Sequence, residues 1–326
     1  MKRTVTIFLF TVATLLFFTV VWFTFKDVDI SGLIRQVTWY DLLLNNVLCL
    51  GHYMSIGIIM WIGYWRHYKL KINPSDLLML PLMMHFFVYV MPLKGGMLFQ
   101  TFYSRYKYQL ALSKGFSIGI SVFLVSLFLT ATLGLGLIFW LQIDSLILKL
   151  TLISMGFGLI SLPIILSLLP KEISLTNGLL SRLIGFLINV RVQLEEQFKN
   201  RSLIIGLLGT VLLSTLIQTF WFWQTAQMLG VHSDLVSVFL VVLVLRIILL
   251  FRVLPGNAGI QELMIGIIFT SAGFSMEQGL LVALVIRLVS VFLAATIGLA
   301  GIYSNLHYFN TDSLSALISK VSKNQE

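Results

Sequence analysis

Long apolar runs dominate the pattern of hydrophobic and polar positions along the chain. They reach or exceed the roughly 18–20 residues that an α-helix needs to cross a bilayer. The charged residues fall mainly between these runs, which predicts membrane-spanning helices joined by short loops. Six uninterrupted runs lie at residues 6–25, 41–64, 113–140, 146–169, 202–229 and 277–305.

Two further apolar runs, 77–92 and 235–254, are each broken by a proline that glycines follow. Proline lacks a backbone N–H donor and disrupts a helix, whereas glycine permits backbone angles that other residues resist. Irregular backbone at membrane depth must be buried in protein or line a wet cavity. The breaks lie at Pro92 with Gly95 and Gly96, and at Pro255 with Gly256 and Gly259.

The placement of lysine and arginine decides how these segments thread the membrane. Positive charge concentrates in cytoplasmic loops, and the chain obeys this rule only if segments 77–110 and 235–272 each enter the membrane and return to the same side. Lys26 and Arg35 are then the basic residues of the outside loops. We therefore predict an all-α polytopic membrane protein with six full spans, two re-entrant helical hairpins and cytoplasmic termini.

A shift of 163 residues aligns the two broken segments. The sequence VMPLKGGM at 90–97 falls on VLPGNAGI at 253–260, and the flanking helices follow at the same shift. The threading makes the two units, 41–140 and 204–303, run in opposite directions, as in transporters whose broken helices meet at the bilayer midplane. We predict one membrane domain over 1–326 with this inverted repeat, although an apolar sequence can also produce such a match by chance.

Composition agrees with a membrane protein and narrows the partners. Hydrophobic residues make up 58% and charged residues 11%, against about one-quarter charged in soluble domains. The net charge of +9 would suggest nucleic acid for a soluble protein. Here the charges flank apolar runs without forming a basic stripe, so we exclude nucleic acid as a partner. Cys49 is the single cysteine, which excludes an intramolecular disulfide.

The second break carries the strongest candidate binding chemistry. Asn257 can cap a helix that runs from about Ala258, and the N–H groups of such a helix end favour phosphate or carboxylate. Each charge at mid-bilayer costs about 2.5–3.5 kcal/mol. An anionic ligand would offset the excess of cations at depth, and arginine binds phosphate with two hydrogen bonds. The membrane-depth charges are Lys94, Arg246, Arg252, Glu262 and Arg287.

Other interpretations of these residues stay open. Glu262 can pair with Arg252 or Arg246 and only hold the hairpin together. Arg252 can extend to the membrane interface. The lone histidines His52 and His85 are more often packing residues than ligands. Motifs for nucleotide binding, zinc binding and serine hydrolysis are missing from the sequence. We therefore predict no catalytic residue, no metal and no cofactor, and a transporter rather than an enzyme.

The sequence PGNAGIQE at 255–262 resembles the signature P-G-G-x-G-x-x-E of the lysylphosphatidylglycerol synthase transmembrane-region family, which are flippase-like membrane proteins. Asn257 replaces one glycine of this signature, and the acid and arginine that the family shows after the first proline are absent near Pro92. The resemblance implies movement of a lipid or a lipid-linked glycan, often beside cell-envelope glycosyltransferases. The aminoacyl-transferase domain of the fused relatives is absent, so we do not expect lysyl transfer.

From these observations we predict a protein of the cell (inner or plasma) membrane that moves an anionic phospholipid or a lipid-phosphate-linked glycan between leaflets. One alternative is a non-catalytic scaffold for a cell-envelope glycosyltransferase, contacted through surface helices at 174–199 and 312–323. Another is a membrane-embedded glycosyltransferase, which an acidic cluster at depth would support, and the sequence shows none. The predicted substrate-binding residues are Lys94, Gly95, Gly96, Arg246, Arg252, Pro255, Gly256, Asn257, Gly259, Glu262 and Arg287.

Overall fold

The computed structural model describes residues 37–91, 95–140, 179–248, 255–257, 259–271 and 273–305. The predicted spans 6–25 and 146–169 and the predicted surface helix 312–323 lie outside these residues, as do Lys94 and Arg252.

The described residues form helices and include no strand. The helices are α1 (Trp39–Tyr68), α2 (Asp76–Val90), α3 (Gly95–Tyr108), α4 (Leu112–Trp140), α5 (Leu179–Lys199), α6 (Arg201–Met228), α7 (Leu235–Ile248), α8 (Ile260–Ser271), α9 (Met276–Leu293) and α10 (Leu299–Ser304). A 3₁₀ turn spans Pro255–Asn257, and a π-helical segment, Ala294–Gly298, joins α9 to α10. The predicted all-α class is confirmed.

Four of the described helical segments are long and apolar enough to cross a membrane. They are α1, α4, α6 and the continuous stretch from α9 through α10. Each coincides with a predicted apolar run. Polar side chains fix several of their ends: Thr38 and Asp41 form a capping box at the start of α1, and Ser275 and Gln278 form another at the start of α9. Such caps satisfy N–H groups that the first turn of a helix leaves unpaired.

The two broken segments contain short helices in pairs. Helices α2, α3, α7 and α8 have 12 to 15 residues, so each is roughly 18–22 Å long at a rise of 1.5 Å per residue. This is less than the ~30 Å of hydrocarbon in a bilayer. Helix α2 packs against α3, and α7 packs against α8. Val238 and residues 240–245 of α7 are buried, which explains why this helix is apolar all round.

Helices α1 and α6 lie antiparallel along their length. Asn45, near the start of α1, donates to Thr225 Oγ1 near the end of α6 at 2.7 Å. Arg66, near the end of α1, donates to the carbonyl oxygen of Ser202 at the start of α6, also at 2.7 Å. The contacts of the first half recur in the second half. Helix α1 packs on α2 as α6 packs on α7, and α3 packs on α4 as α8 packs on α9. Across the halves, α4 packs on α7, and α9 with the π-helical segment packs on α2.

Helix α2 approaches α1 closely at Gly57. A Cβ atom at this position would lie 1.7 Å from the carbonyl oxygen of Leu77. We expect Gly57→Ala to push α2 away from α1 and to lower the free energy of unfolding by about 1–3 kcal/mol, the usual cost of overpacking. The measurement is chemical unfolding in detergent. Gly209→Ala on α6 is the control, since a Cβ there meets no atom within 4 Å. Equal unfolding midpoints for the two variants would contradict the close packing.

Candidate functional site

A cavity of about 180 Å³ lies within the bundle, beside the second broken segment. Helices α1, α2 and α6 contribute an aromatic and apolar wall, whereas the 3₁₀ turn, α8, α9 and Gln218 of α6 contribute polar groups. A concave site with an apolar wall and a few convergent polar groups is typical of ligand binding. The wall includes His52, Tyr53, Met84, His85, Tyr89, Trp221 and Phe222, and the polar groups are Gln218, the Gly256 backbone, Gln261, Arg287 and Ser290.

A buried ion pair forms one side of this cavity. Arg287 of α9 pairs with Glu262 of α8, and its Nη2 donates to the carbonyl oxygen of Gly256 at 2.7 Å. Glu262 is 1% exposed and accepts a hydrogen bond from the backbone N–H of Gly259 at 2.8 Å. Removing one partner of such a pair would leave the other charge buried without compensation. The pair therefore ties α8 and α9 to the broken segment and places a guanidinium at the cavity wall.

In the described residues, Glu262 pairs with Arg287, which the sequence analysis did not suggest. Arg246 and Arg252 lie closest to the break along the chain, but Arg287 comes from the next helix and reaches Glu262 through packing. Arg246 lies on another helix, α7, and bonds elsewhere. Pairing of Glu262 with Arg246 is wrong, whereas Arg252 lies outside the described residues and its pairing stays a prediction.

The second break is built from residues with left-handed backbone angles. The φ angles are 60° at Gly256, 50° at Asn257 and 81° at Gly259. Glycine reaches this region at no steric cost, and asparagine tolerates it better than most residues. A Cβ atom at Gly256 would also lie 2.6 Å from Cδ1 of Tyr89. Gly256 is therefore needed for the turn and for its contact with α2.

The sequence analysis expected Asn257 to cap a helix that starts at about Ala258, but the helix starts later. Helix α8 begins at Ile260, and the N–H of Gly259 is accepted by Glu262, three residues ahead. One N–H group at the start of α8 is therefore satisfied by Glu262 and not by the Asn257 side chain. Asn257 is 1% exposed, and its amide has no hydrogen-bond partner among the described residues. A buried unpaired amide is uncommon, and here it directly follows Gly256 in the turn.

Arg246 is a second cation close to the cavity, and its partners are neutral. Its Nε donates to Oε1 of Gln218 at 3.0 Å, and its two terminal nitrogens lie 3.3 Å from Ser214 Oγ and 3.4 Å from Ser126 Oγ. In the part of the chain that the structure describes, no carboxylate pairs with it. Gln218 lines the cavity, so it connects Arg246 to the cavity wall.

The structure brings together part of the predicted set. Gly256, Gly259, Glu262 and Arg287 meet in one hydrogen-bonded cluster, and Pro255 begins the turn that carries Gly256. Gly95 and Gly96 do not line this cavity. A Cβ atom at Gly95 would lie 2.4 Å from Met91 Cβ, and one at Gly96 would lie 2.7 Å from Met84 O. These two glycines therefore let α3 pack against α2.

Of the aromatic wall, the sequence analysis considered only His52 and His85, and it interpreted both as packing residues. His85 and Tyr89 lie one turn apart on α2 and are 3.1 Å apart between Nε2 and the hydroxyl. The rings of Tyr53 and His85 are 4.9 Å apart between centroids. Trp221 also donates from Nε1 to Asn45 at 2.7 Å. The i, i+4 spacing of His85 and Tyr89 could have indicated this wall from the sequence, because it places two rings with polar atoms on one face of an apolar helix.

A second buried ion pair was not expected from the sequence. Asp76, at the start of α2, is 2% exposed and lies 2.9 Å from Lys107 Nζ on α3. It also accepts hydrogen bonds from Tyr103 and Tyr108. Lys107 donates in addition to Asn305, directly after α10, at 3.0 Å. None of these residues lines the cavity, so the cluster joins helix ends rather than forming part of the site.

Comparison with known families gives a match over residues 9–298, to the family described as lysylphosphatidylglycerol synthase TM region. The matched residues include both broken segments and the whole cavity wall. Neither the comparison with curated proteins nor the comparison with solved structures found a match to this chain.

Proposed function

Because the chain belongs to the lysylphosphatidylglycerol synthase transmembrane-region family, we propose that it moves an anionic phospholipid, or a lipid-phosphate-linked glycan, between the two leaflets of the cell membrane. The observation that carries the proposal is the cavity beside the second break, where the buried guanidinium of Arg287 meets hydrogen-bonding side chains and an aromatic wall.

Charge supports an anionic head group. Arg246 and Arg287 carry two positive charges near the cavity, and Glu262 balances one of them. A phosphate would offset the remaining charge, which is costly at membrane depth. Arginine suits this role because its guanidinium forms two parallel hydrogen bonds to phosphate oxygens. The amides of Gln218 and Gln261 could bond to the rest of the head group.

The helix arrangement supports transport by two opposed units. We propose that residues 41–140 and 204–303 are inverted repeats and that 77–110 and 235–272 are re-entrant hairpins. The short paired helices, the antiparallel packing of α1 on α6 and the matching contacts in the two halves agree with this plan. In transporters of this kind, one repeat moves against the other around a site near the midplane.

The proposal also includes the orientation of the chain in the membrane. Arg66 and Lys69 at the end of α1 and Arg201 at the start of α6 lie at one end of the antiparallel pair. The positive-inside rule puts this end in the cytoplasm. Cytoplasmic termini follow when the spans at 6–25 and 146–169 are added from the sequence.

The test is lipid movement in proteoliposomes that contain the purified chain and fluorescent lipids. We expect an anionic lipid such as phosphatidylglycerol to cross about tenfold faster than phosphatidylcholine, the ratio that about 1.4 kcal/mol of preference gives. Arg105→Gln is the matched control for arginine substitutions at the cavity, because it removes a cation outside the cavity wall. It should keep the wild-type rate.

One result would defeat this proposal. If neither lipid crosses faster than in protein-free vesicles, the chain does not move lipids. A stable complex with a cell-envelope glycosyltransferase on co-purification would then favour the scaffold alternative.

A further inference from the structure

A second cavity, of about 310 Å³, opens where α1 ends and α6 begins. Trp65, Arg66, Lys69, Asn200 and Ser202 line it, and we call it the basic groove. None of these residues lines the cavity beside the second break, so the groove is a separate site on the molecule.

Arg66 is held in position at this groove. Its Nη1 donates to the carbonyl oxygen of Ser202 at 2.7 Å and also to the Ser202 hydroxyl. A Cβ atom at Gly206 would lie 3.7 Å from the guanidinium carbon, at ordinary van der Waals distance, so the arginine lies against this face of α6. This fixes the charge at the groove through contacts with neutral groups.

The cations of the groove form no ion pair within 4 Å in the described residues, and Glu196 acts electrostatically on the neighbouring His67 instead. Arg66, Lys69 and the neighbouring Arg201 form no ion pair there with aspartate or glutamate. Lys69 is exposed, and its left-handed backbone, with φ 56°, ends α1. An anion at this point would meet two cations, Arg66 and Lys69, both at the end of α1.

The surroundings place the groove at the level of lipid head groups. Trp61 and Trp65 stack with centroids 5.2 Å apart, and Trp65 is 43% exposed. Exposed tryptophan is typical of the membrane–water interface. Beyond the groove, α6 presents exposed Ile205, Leu212 and Leu216. This apolar surface gives acyl chains a path towards the bilayer core.

We propose that the basic groove binds the head-group phosphate of an anionic phospholipid as a resident lipid that is not transported. Basic pockets between membrane helices on the cytoplasmic side bind such head groups. The proposed threading puts this groove in the cytoplasmic leaflet. Binding of the resident lipid does not depend on lipid movement through the cavity beside the second break.

Native mass spectrometry of the purified full chain, with equal amounts of phosphatidylglycerol and phosphatidylcholine in the detergent, tests this site. We expect wild type to retain phosphatidylglycerol. Each cation near a membrane surface contributes about fivefold in affinity, so Arg66→Gln with Lys69→Gln should weaken retention by about 25-fold. Lys69→Gln alone should weaken it by about fivefold. This single variant keeps the bonds of Arg66 to Ser202 and therefore keeps the test valid if the double variant misfolds.

The control removes the same charge at the same end of the bundle. Lys71→Gln with Lys199→Gln changes two exposed lysines that do not line the groove, and retention should stay at the wild-type level. Equal loss in this control, equal retention of the two lipids by wild type, or displacement of the lipid by inorganic phosphate would each overturn the proposal. A wild type that retains the lipid but moves none in proteoliposomes would count against the proposed transport only.

Discussion

Arg287→Ala is expected to lower the free energy of unfolding by about 3–5 kcal/mol and to stop the movement of anionic lipid. The substitution leaves the carboxylate of Glu262 buried without its cation, and breaking a buried pair from one side costs this much. It also removes the donor to the Gly256 carbonyl oxygen. Unfolding in detergent measures the first effect, and the proteoliposome assay measures the second.

A paired substitution separates structure from function at this site. Glu262→Gln with Arg287→Gln removes both charges and leaves two amides that can bond to each other, so we expect it to recover at least half of the lost stability. It should not recover the movement of anionic lipid, because no cation returns to the cavity wall. Wild-type movement by the double variant would mean that Arg287 serves the fold alone.

The bilayer explains why the main helices could be predicted from the sequence. A spanning helix must be long enough to cross the hydrocarbon and must satisfy its own backbone. The lengths of the apolar runs therefore carry most of the information. The run 41–64 became α1, and 202–229 became α6, with ends that shifted by a few residues. Prolines marked the breaks for the same reason, since each lacks a backbone donor.

Pairing of charges could not be predicted in this way. Glu262 and Arg287 are 25 positions apart, and Asp76 and Lys107 are 31 apart. No local spacing rule connects residues on different helices, so only the packing of α8 on α9 and of α2 on α3 selects the partners. The same holds for the aromatic wall, whose rings come from three helices.

The proposed repeat shares its backbone plan but not its chemistry. At the shift of 163 residues, Arg287 corresponds to Leu124, and Glu262 corresponds to Phe99. Both counterparts are apolar and buried. The first half therefore supplies the aromatic face of α2 to the cavity, whereas the second half supplies the ion pair. We infer that, in the proposed transport, the second repeat recognises the head-group charge and the first repeat supplies shape.

Arg246→Gln is expected to slow the movement of anionic lipid by about 10–100-fold while changing the free energy of unfolding by no more than about 1 kcal/mol. Hydrogen bonds to charged groups contribute about 1.5–3 kcal/mol, which corresponds to that range of rates if the contact acts at the transport barrier. Stability should change little because the substitution also removes a buried charge that has no carboxylate partner among the described residues, and this relief offsets the lost bonds to Gln218, Ser214 and Ser126. The substitution therefore leaves no opposite charge buried, unlike Arg287→Ala.

Arg246→Lys completes this comparison because it keeps the charge but loses the planar fork of the guanidinium. We expect an intermediate rate for anionic lipid and no change for zwitterionic lipid, both measured in the same proteoliposomes. If Arg246→Gln moves anionic lipid at the wild-type rate, Arg246 does not act on the head group, and its charge would have to be explained by packing among α4, α6 and α7 alone. If Arg246→Gln slows both lipids equally, the residue acts on the helix movement rather than on the charge of the substrate.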